Sequence, residues 1–277
     1  MDNKENVTNE SCKTFLTNIA ALVFSDFRLV YNFINDCQND INKYDCGRLE
    51  KANDNLPTQQ GKTIECLSKK FQDLEDTCKK QIVRITELQS DDFHLDRPLY
   101  FACREDRERL CESITSGEGR VYKCLMKNKF NQLMSKQCQE QLTRRQKIIA
   151  QDVKADKSLI LACKKDIIQH NCRKELRTSN SETLQLPALI LCLEGAVRDG
   201  ESIEPECKAE LVEHRKMLMS DYSLNPSVVK FCAKEITEHC GGGLKKNGET
   251  VHCLLNKAKE AKLKKKFDFD DKCLAEV

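Results

Sequence analysis

Apolar positions along this chain recur mostly at three- and four-residue intervals, the period of a helix with one buried face. Between Asp96 and Cys111, the side chains of Tyr100, Cys103, Arg107 and Leu110 fall on one side and predict a first helix. Breakers follow at Ser113, Ser116, Gly117 and Gly119. A second helix is predicted from about Arg120, carrying Val121, Cys124, Leu125 and Leu133. A third is predicted from about Ser135, with Cys138, Leu142, Ile149 and Val153 as its stripe. No segment sustains the period of two that a half-buried strand requires. The most apolar stretch, Phe15 to Ile34, is interrupted by Asn18, Asp26, Arg28 and Asn32 and reads as the buried face of a helix. It is broken well short of the ~18 apolar residues of a membrane span. Asp2, Glu5 and Glu10 ahead of it replace the basic cap of a signal peptide.

Composition changes this picture in one respect. The 277 residues include 17 cysteines and no tryptophan, and 32% are charged. Small units with so little apolar surface usually need covalent staples. Zinc sites place ligands at short spacings, yet the closest cysteines here are eight apart and the five histidines are scattered, so no metal site is expected. Disulfides remain, and with them an oxidising secretory or extracellular compartment. Asn6 and Asn9 open glycosylation sequons, Asn6-Val7-Thr8 and Asn9-Glu10-Ser11. With 46 basic and 44 acidic side chains the net charge is +2, which gives no reason to expect nucleic-acid binding.

The cysteines form a repeat. After Cys12 they fall into the sets 37/46/66/78, 103/111/124/138, 163/172/192/207 and 232/240/253/273. The fourth cysteine of each set stands 25 residues before the first of the next, and Cys12 stands 25 before Cys37. Cys12 therefore reads as the fourth cysteine of a set whose start is missing. Other columns keep step. An acid follows each first cysteine by three residues (Asp40, Asp106, Asp166, Glu235). A leucine follows each third cysteine directly (Leu67, Leu125, Leu193, Leu254), and Gly61, Gly119, Pro187 and Gly248 precede it by five. Asp96, Asp156 and Asn225 are N-cap residues seven before the first cysteine, with Pro98 and Pro226 behind two of them; the first set has Val30 in that place.

The expected fold is all-α, a linear array of disulfide-stapled three-helix repeats. Residues 1–33 would end a truncated upstream repeat. Cysteine-rich repeats would occupy 34–99, 100–159, 160–228 and 229–277, the last truncated in its C-terminal helix. Hairpin geometry favours nested bridges: Cys37–Cys78 with Cys46–Cys66, Cys103–Cys138 with Cys111–Cys124, Cys163–Cys207 with Cys172–Cys192, and Cys232–Cys273 with Cys240–Cys253, leaving Cys12 unpaired. The alternative joins each fourth cysteine to the next first one across the constant 25. That pairing has to close a mismatch of roughly 13 Å along the helices, and it would leave Cys273 unpaired instead.

Chemistry-bearing residues mostly return to the repeat. His239-Cys240 and His252-Cys253 could suggest a nucleophile beside a base, but both cysteines are repeat positions. The acid column is read as a local helix role, such as a salt bridge to a neighbouring Lys or Arg. Gly241-Gly242-Gly243 is read as a turn. Lys257, Lys259, Lys262, Lys264, Lys265 and Lys266 form the main basic cluster, a candidate contact for sulfated glycan; Arg144, Arg145 and Lys147 form a smaller one. No enzymatic activity, cofactor or metal is expected.

The segment ACREDRERLCESITSGEGRVYKCLMKNKFNQLMSKQCQEQL at 102–142 resembles the cysteine-rich repeats of the Golgi apparatus protein 1 family, also known as the cysteine-rich fibroblast growth factor receptor or E-selectin ligand family. ACKKDIIQHNC and FCAKEITEHC echo it, and the likeness covers nearly the whole chain. The resemblance implies a single-pass type I Golgi membrane glycoprotein with a long luminal repeat array. It implies binding of fibroblast growth factors and, through glycans, of a selectin, with a possible cell-surface presence. Membrane attachment would lie in a segment absent from this chain, which would then be an internal piece of a longer protein or an incomplete gene model. The alternative expectation is a structural or trafficking and retention component of the Golgi without a specific soluble ligand.

Overall fold

In a computed structural model of the chain, the residues described are 8–47, 61–174, 184–241, 248–264 and 269–276. They form helices and turns, with no strand among them. The first helix, α1 (Glu10–Ser25), precedes the complete cysteine sets. The first set is carried by α2 (Phe33–Lys43), α3 (Lys62–Lys69) and α4 (Asp76–Gln89). The second set lies on α5 (Arg97–Leu110), α6 (Arg120–Lys127) and α7 (Lys136–Gln151), and the third on α8 (Lys157–Gln169), α9 (Gln185–Arg198) and α10 (Pro205–Ser220). In the fourth set the leading helix divides at Cys232 into α11 (Pro226–Phe231) and α12 (Ala233–His239); α13 (Glu249–Lys264) and α14 (Asp271–Glu276) complete it. Two compact units result, residues 1–149 with 154–160, and 150–153 with 161–277.

Local sequence sets these boundaries. Asp96 Oδ1 accepts from the Leu99 N–H at 3.4 Å and Pro98 occupies the first turn of α5, where its missing N–H costs nothing. Asn225 plays the same part ahead of α11, with Pro226 in the first turn. The first set lacks a cap at Val30, and α2 begins only after Asn32, which is left-handed and gives no side-chain cap. The second helix of the second set is shorter than the sequence suggests. α6 ends at Lys127, Asn128 N–H turns back to the Cys124 and Leu125 carbonyls, and Leu133 is exposed while Met134 enters the core.

A one-turn 3-10 segment leads into each set: 27–29, 93–95, 153–155 and 222–224. Asp26, Asp92 and Asp221 each accept from the N–H two residues on. With Asp152 these acids stand eleven residues before each first cysteine, a column the sequence carries plainly. Behind each turn an apolar side chain is buried, as with Phe27, Phe93 and Val153.

Each repeat keeps a small core built around its cystines. In the second set Leu99, Cys103, Val121, Leu125, Cys138 and Leu142 form it, with Tyr122 and Met134. In the fourth, Val228, Cys232, Ile236, Leu254, Phe269 and Cys273 correspond. The glycine column marks where one repeat meets the helix before it. Gly61, Gly119 and Gly248 are all left-handed (φ +76°, +67° and +79°), and a Cβ on them would meet the carbonyl oxygens of Phe24, Ser90 and Met219 at 3.3, 3.2 and 2.5 Å. Those carbonyls all lie twelve residues after a fourth cysteine. The column is therefore more than a set of breakers: only glycine combines the left-handed backbone with this approach.

Candidate functional site in the stapled repeats

The structure joins Cys37 to Cys78, Cys103 to Cys138, Cys163 to Cys207 and Cys232 to Cys273, with Cα–Cα separations of 4.6, 4.7, 4.6 and 4.9 Å. Inside these, Cys46–Cys66, Cys111–Cys124, Cys172–Cys192 and Cys240–Cys253 close the turn between the first two helices at 5.5, 6.1, 5.9 and 5.8 Å. This is the nested arrangement. Both histidine-adjacent cysteines, Cys240 and Cys253, are in one bridge. Cys12 is a free, exposed thiol. First, second and fourth cysteines are buried and third ones half-buried, so each long bridge sits in its repeat's core.

The acid column does something other than the local pairing expected of it. All four side chains are buried. Asp40 accepts from the Glu75 N–H at 3.0 Å, Asp106 from Ser135 at 3.1 Å, Asp166 from Glu204 at 3.1 Å and Glu235 from Asp270 at 3.1 Å. Each donor is three residues before the fourth cysteine, at the N-terminus of the third helix, where backbone N–H groups lack intrahelical partners. The acid thus ties the third helix to the first beside the long disulfide. Only Asp106 also has the expected neighbour, Arg109, and it accepts the Ser135 hydroxyl as well at 2.6 Å. The remaining oxygens of Asp40, Asp166 and Glu235 are buried without a hydrogen-bond partner.

The basic groups divide differently from the sequence reading. Arg144 and Arg145 are buried and do not form a surface cluster with Lys147. Arg144 clasps Asp96 through its Nη2 at 2.7 and 2.6 Å and donates from Nε to Gln141 at 2.9 Å. Gln141 in turn donates to Glu65 at 2.6 Å, and Lys69 pairs with the same carboxylate at 2.8 Å. Burial pushes the Glu65 carboxyl up, but the hydrogen bonds from Lys69 and Gln141 outweigh it and hold the group below its ordinary value. Arg145 lies over the Tyr122 ring at 4.1 Å and donates to the Thr86 carbonyl. Burial raises the Tyr122 phenol, which donates to the Gln89 carbonyl at 3.2 Å. This network links the first and second cysteine sets.

Among the described residues, the lysines of the cluster do not share one face. On α13, Lys259 and Lys262 are exposed one turn apart, whereas Lys257 lies nearly opposite Lys259, half-buried and paired with Glu260 at 3.1 Å. The side chain of Lys264 and all of Lys265 and Lys266 lie outside the described residues, as do Gly242 and Gly243. Of the two sequons, Asn6 also lies outside them; Asn9 is exposed and caps α1, accepting from the Cys12 N–H at 3.1 Å. The stretch from Phe15 is not a buried face throughout: Ala20, Phe24, Phe27 and Phe33 are buried, but Phe15, Ile19 and Leu22 are exposed. Among the described residues no group of three or more His, Cys, Asp or Glu could hold a metal ion, and no helix is long and apolar enough to cross a membrane.

Nested cystines, a buried acid on the third helix's first amide, and a glycine against the preceding helix together define a helical, disulfide-stapled repeat protein. The chain belongs to the cysteine rich repeat family, whose model matches residues 10–75, 76–133, 136–201 and 205–262. Each match opens two residues before Cys12, Cys78, Cys138 or Cys207, so its frame starts at a third helix and runs into the following set. The chain is 44% identical over 266 residues to Golgi apparatus protein 1 of Cricetulus griseus, covering 92% of this chain and 23% of that protein. It is equally similar to Golgi apparatus protein 1 of Homo sapiens, with 92% and 22% covered. Golgi apparatus protein 1 homolog of Caenorhabditis elegans is 35% identical over 280 residues, with 93% and 24% covered. The chain spans less than a quarter of the length of these relatives, and the likeness places it among Golgi proteins. No solved structure matches it.

Proposed function

We propose that this chain is a non-enzymatic, luminal segment of a Golgi membrane glycoprotein that presents stapled repeats to secreted protein ligands such as fibroblast growth factors. The observation that carries the reading is where the reactive and charged groups go. All four column acids and twelve of the sixteen bridged cysteines are buried within the repeats. That leaves rigid helical surfaces to make contacts. A disulfide-dense chain also fits the oxidising lumen better than the cytosol. Surface plasmon resonance with immobilised fibroblast growth factor tests the proposal. Saturable binding that is lost on reduction supports it, and no saturable binding favours a structural or retention role.

Sulfated glycan is the second candidate ligand, with Lys259 and Lys262 the exposed pair among the described lysines of the cluster. The expected result is retention on heparin resin above ~0.15 M salt, where exposed charges are already screened beyond about 8 Å. Lys259→Glu with Lys262→Glu should then lower the eluting salt concentration. Elution of the unaltered chain below ~0.15 M counts against this contact.

A further inference from the structure

The third repeat departs from the others on its outer face. Ile168 stands five residues after its first cysteine, and Leu191 directly precedes its third. The other sets hold Asn42, Glu108 and Thr237 at the first of these positions and Glu65, Lys123 and His252 at the second, every one of them polar. Yet Ile168 is 49% exposed and Leu191 63%. Leu161, seven residues ahead of Ile168, is 57% exposed. Residues seven apart share a side of a helix, and those three and four places on lie between them. On α8 these are Lys164 and Lys165, both exposed. One stripe therefore sets two lysines between two bare aliphatic side chains. Leu191 adjoins the Cys172–Cys192 bridge, whose first cysteine is four residues past Ile168. The charge of the stripe is one-sided. Asp166, the one acid within α8, is buried and accepts from the Glu204 N–H. Lys165 pairs with Glu204 at 3.2 Å, but its side chain is 80% exposed, so a second carboxylate can replace that contact with little loss. Arg173 and Lys174, both exposed, continue the positive charge past Cys172.

We propose that the outer face of α8 is a docking surface for an acidic amphipathic helix of another protein. That helix carries apolar side chains seven residues apart, with Asp or Glu at the two positions between them. Lysines alone would suit any polyanion. The aliphatic pair selects a polypeptide, because a sulfated glycan offers Leu161 and Ile168 no apolar surface to bury against. A helix with the matching spacing covers both aliphatic side chains and brings its carboxylates to Lys164 and Lys165 in the same register. A scaffold shared by all four sets fixes where the face lies, and the residues peculiar to the third set define what it accepts. This surface goes beyond the growth-factor reading and uses neither Lys259 nor Lys262.

The test titrates the isotope-labelled full chain with a synthetic amphipathic helix bearing leucines seven residues apart and glutamates at the two positions between. Nuclear magnetic resonance should show saturable shifts centred on Leu161–Gln169 and Leu191, weakening as salt is added. Leu161→Ser with Ile168→Ser should weaken the peptide by about tenfold or more. Both side chains are exposed, so the variant should keep its fold, and unchanged shifts elsewhere in the repeat check that. Lys164→Glu with Lys165→Glu should lose the glutamate peptide and gain one with lysines in place of the glutamates, a reversal that mere unfolding cannot produce. The proposal is overturned if the peptide causes no saturable shift on α8, or if Leu161→Ser with Ile168→Ser leaves its affinity unchanged, which would mark a contact for any polyanion. It is also overturned if the charge swap fails in a folded variant, or if phosphatidylserine vesicles displace the peptide from α8, which would make the face a lipid contact.

Discussion

Asp106 and Asp40 stand at the same position in successive repeats but use their oxygens differently. Asp106 serves the Ser135 N–H, the Ser135 hydroxyl and Arg109; Asp40 serves the Glu75 N–H and keeps one buried oxygen without a partner. Asp106→Ala, which strands the helix-end N–H, should cost about 1–3 kcal/mol in urea unfolding. Asp40→Asn keeps an acceptor for the single N–H and should cost less than Asp40→Ala, which strands that N–H, in the same measurement. The glycines give a sharper contrast. Gly200 is left-handed with nothing within 4 Å of its absent Cβ, so Gly200→Ala should cost only the backbone penalty of about 1–2 kcal/mol. Gly248→Ala adds a Cβ 2.5 Å from the Met219 carbonyl oxygen, and its loss should exceed that of Gly200→Ala in the same measurement. Both columns are legible in the sequence as columns. Their partners are not, because a hydrogen bond from residue 40 to residue 75, or a close approach of residue 248 to residue 219, leaves no periodicity.

At the scale of elements, α5 and α7 are joined by more than their cystine. Asp96 was legible as the cap of α5, but its second role as counter-ion to Arg144 was not. Two adjacent arginines read as a solvated face unless an acid 48 residues away is known to meet them. Asp96→Ala leaves a guanidinium buried without its charge partner, and a loss of about 3–5 kcal/mol is expected in denaturant titration. Glu65 ties α3 to α7 through Gln141. Its carboxyl is held below the ordinary value, so its contribution is present above the unfolded carboxylate range near pH ~4.3 and is lost as pH falls through the lower folded value. Thermal unfolding from about pH 6 to about pH 3 should therefore show a steeper acid decline for the unaltered chain than for Glu65→Gln. Helix lengths were legible where caps and breakers are local, as for α5. They were not for α6, whose end is fixed by the Asn128 turn and by the burial of Met134 rather than Leu133.

At the scale of the molecule, spacing alone carried the repeat, because a disulfide-stapled unit with a thin core tolerates little change in where its cysteines fall. Each bridge contributes about 2–4 kcal/mol, so the pairing is the central claim. The constant interval of 25 between sets invites the other pairing, and the family model's frame, which begins at a third helix, keeps those two cysteines together. The column acids oppose it. They hold each third helix against the first helix of its own set, where the fourth cysteine meets the first. Non-reducing peptide mass spectrometry of the folded chain decides between the two. The nested account predicts a peptide pair joining Cys103 to Cys138 and a free thiol at Cys12; a pair joining Cys138 to Cys163, with the free thiol at Cys273, would contradict it.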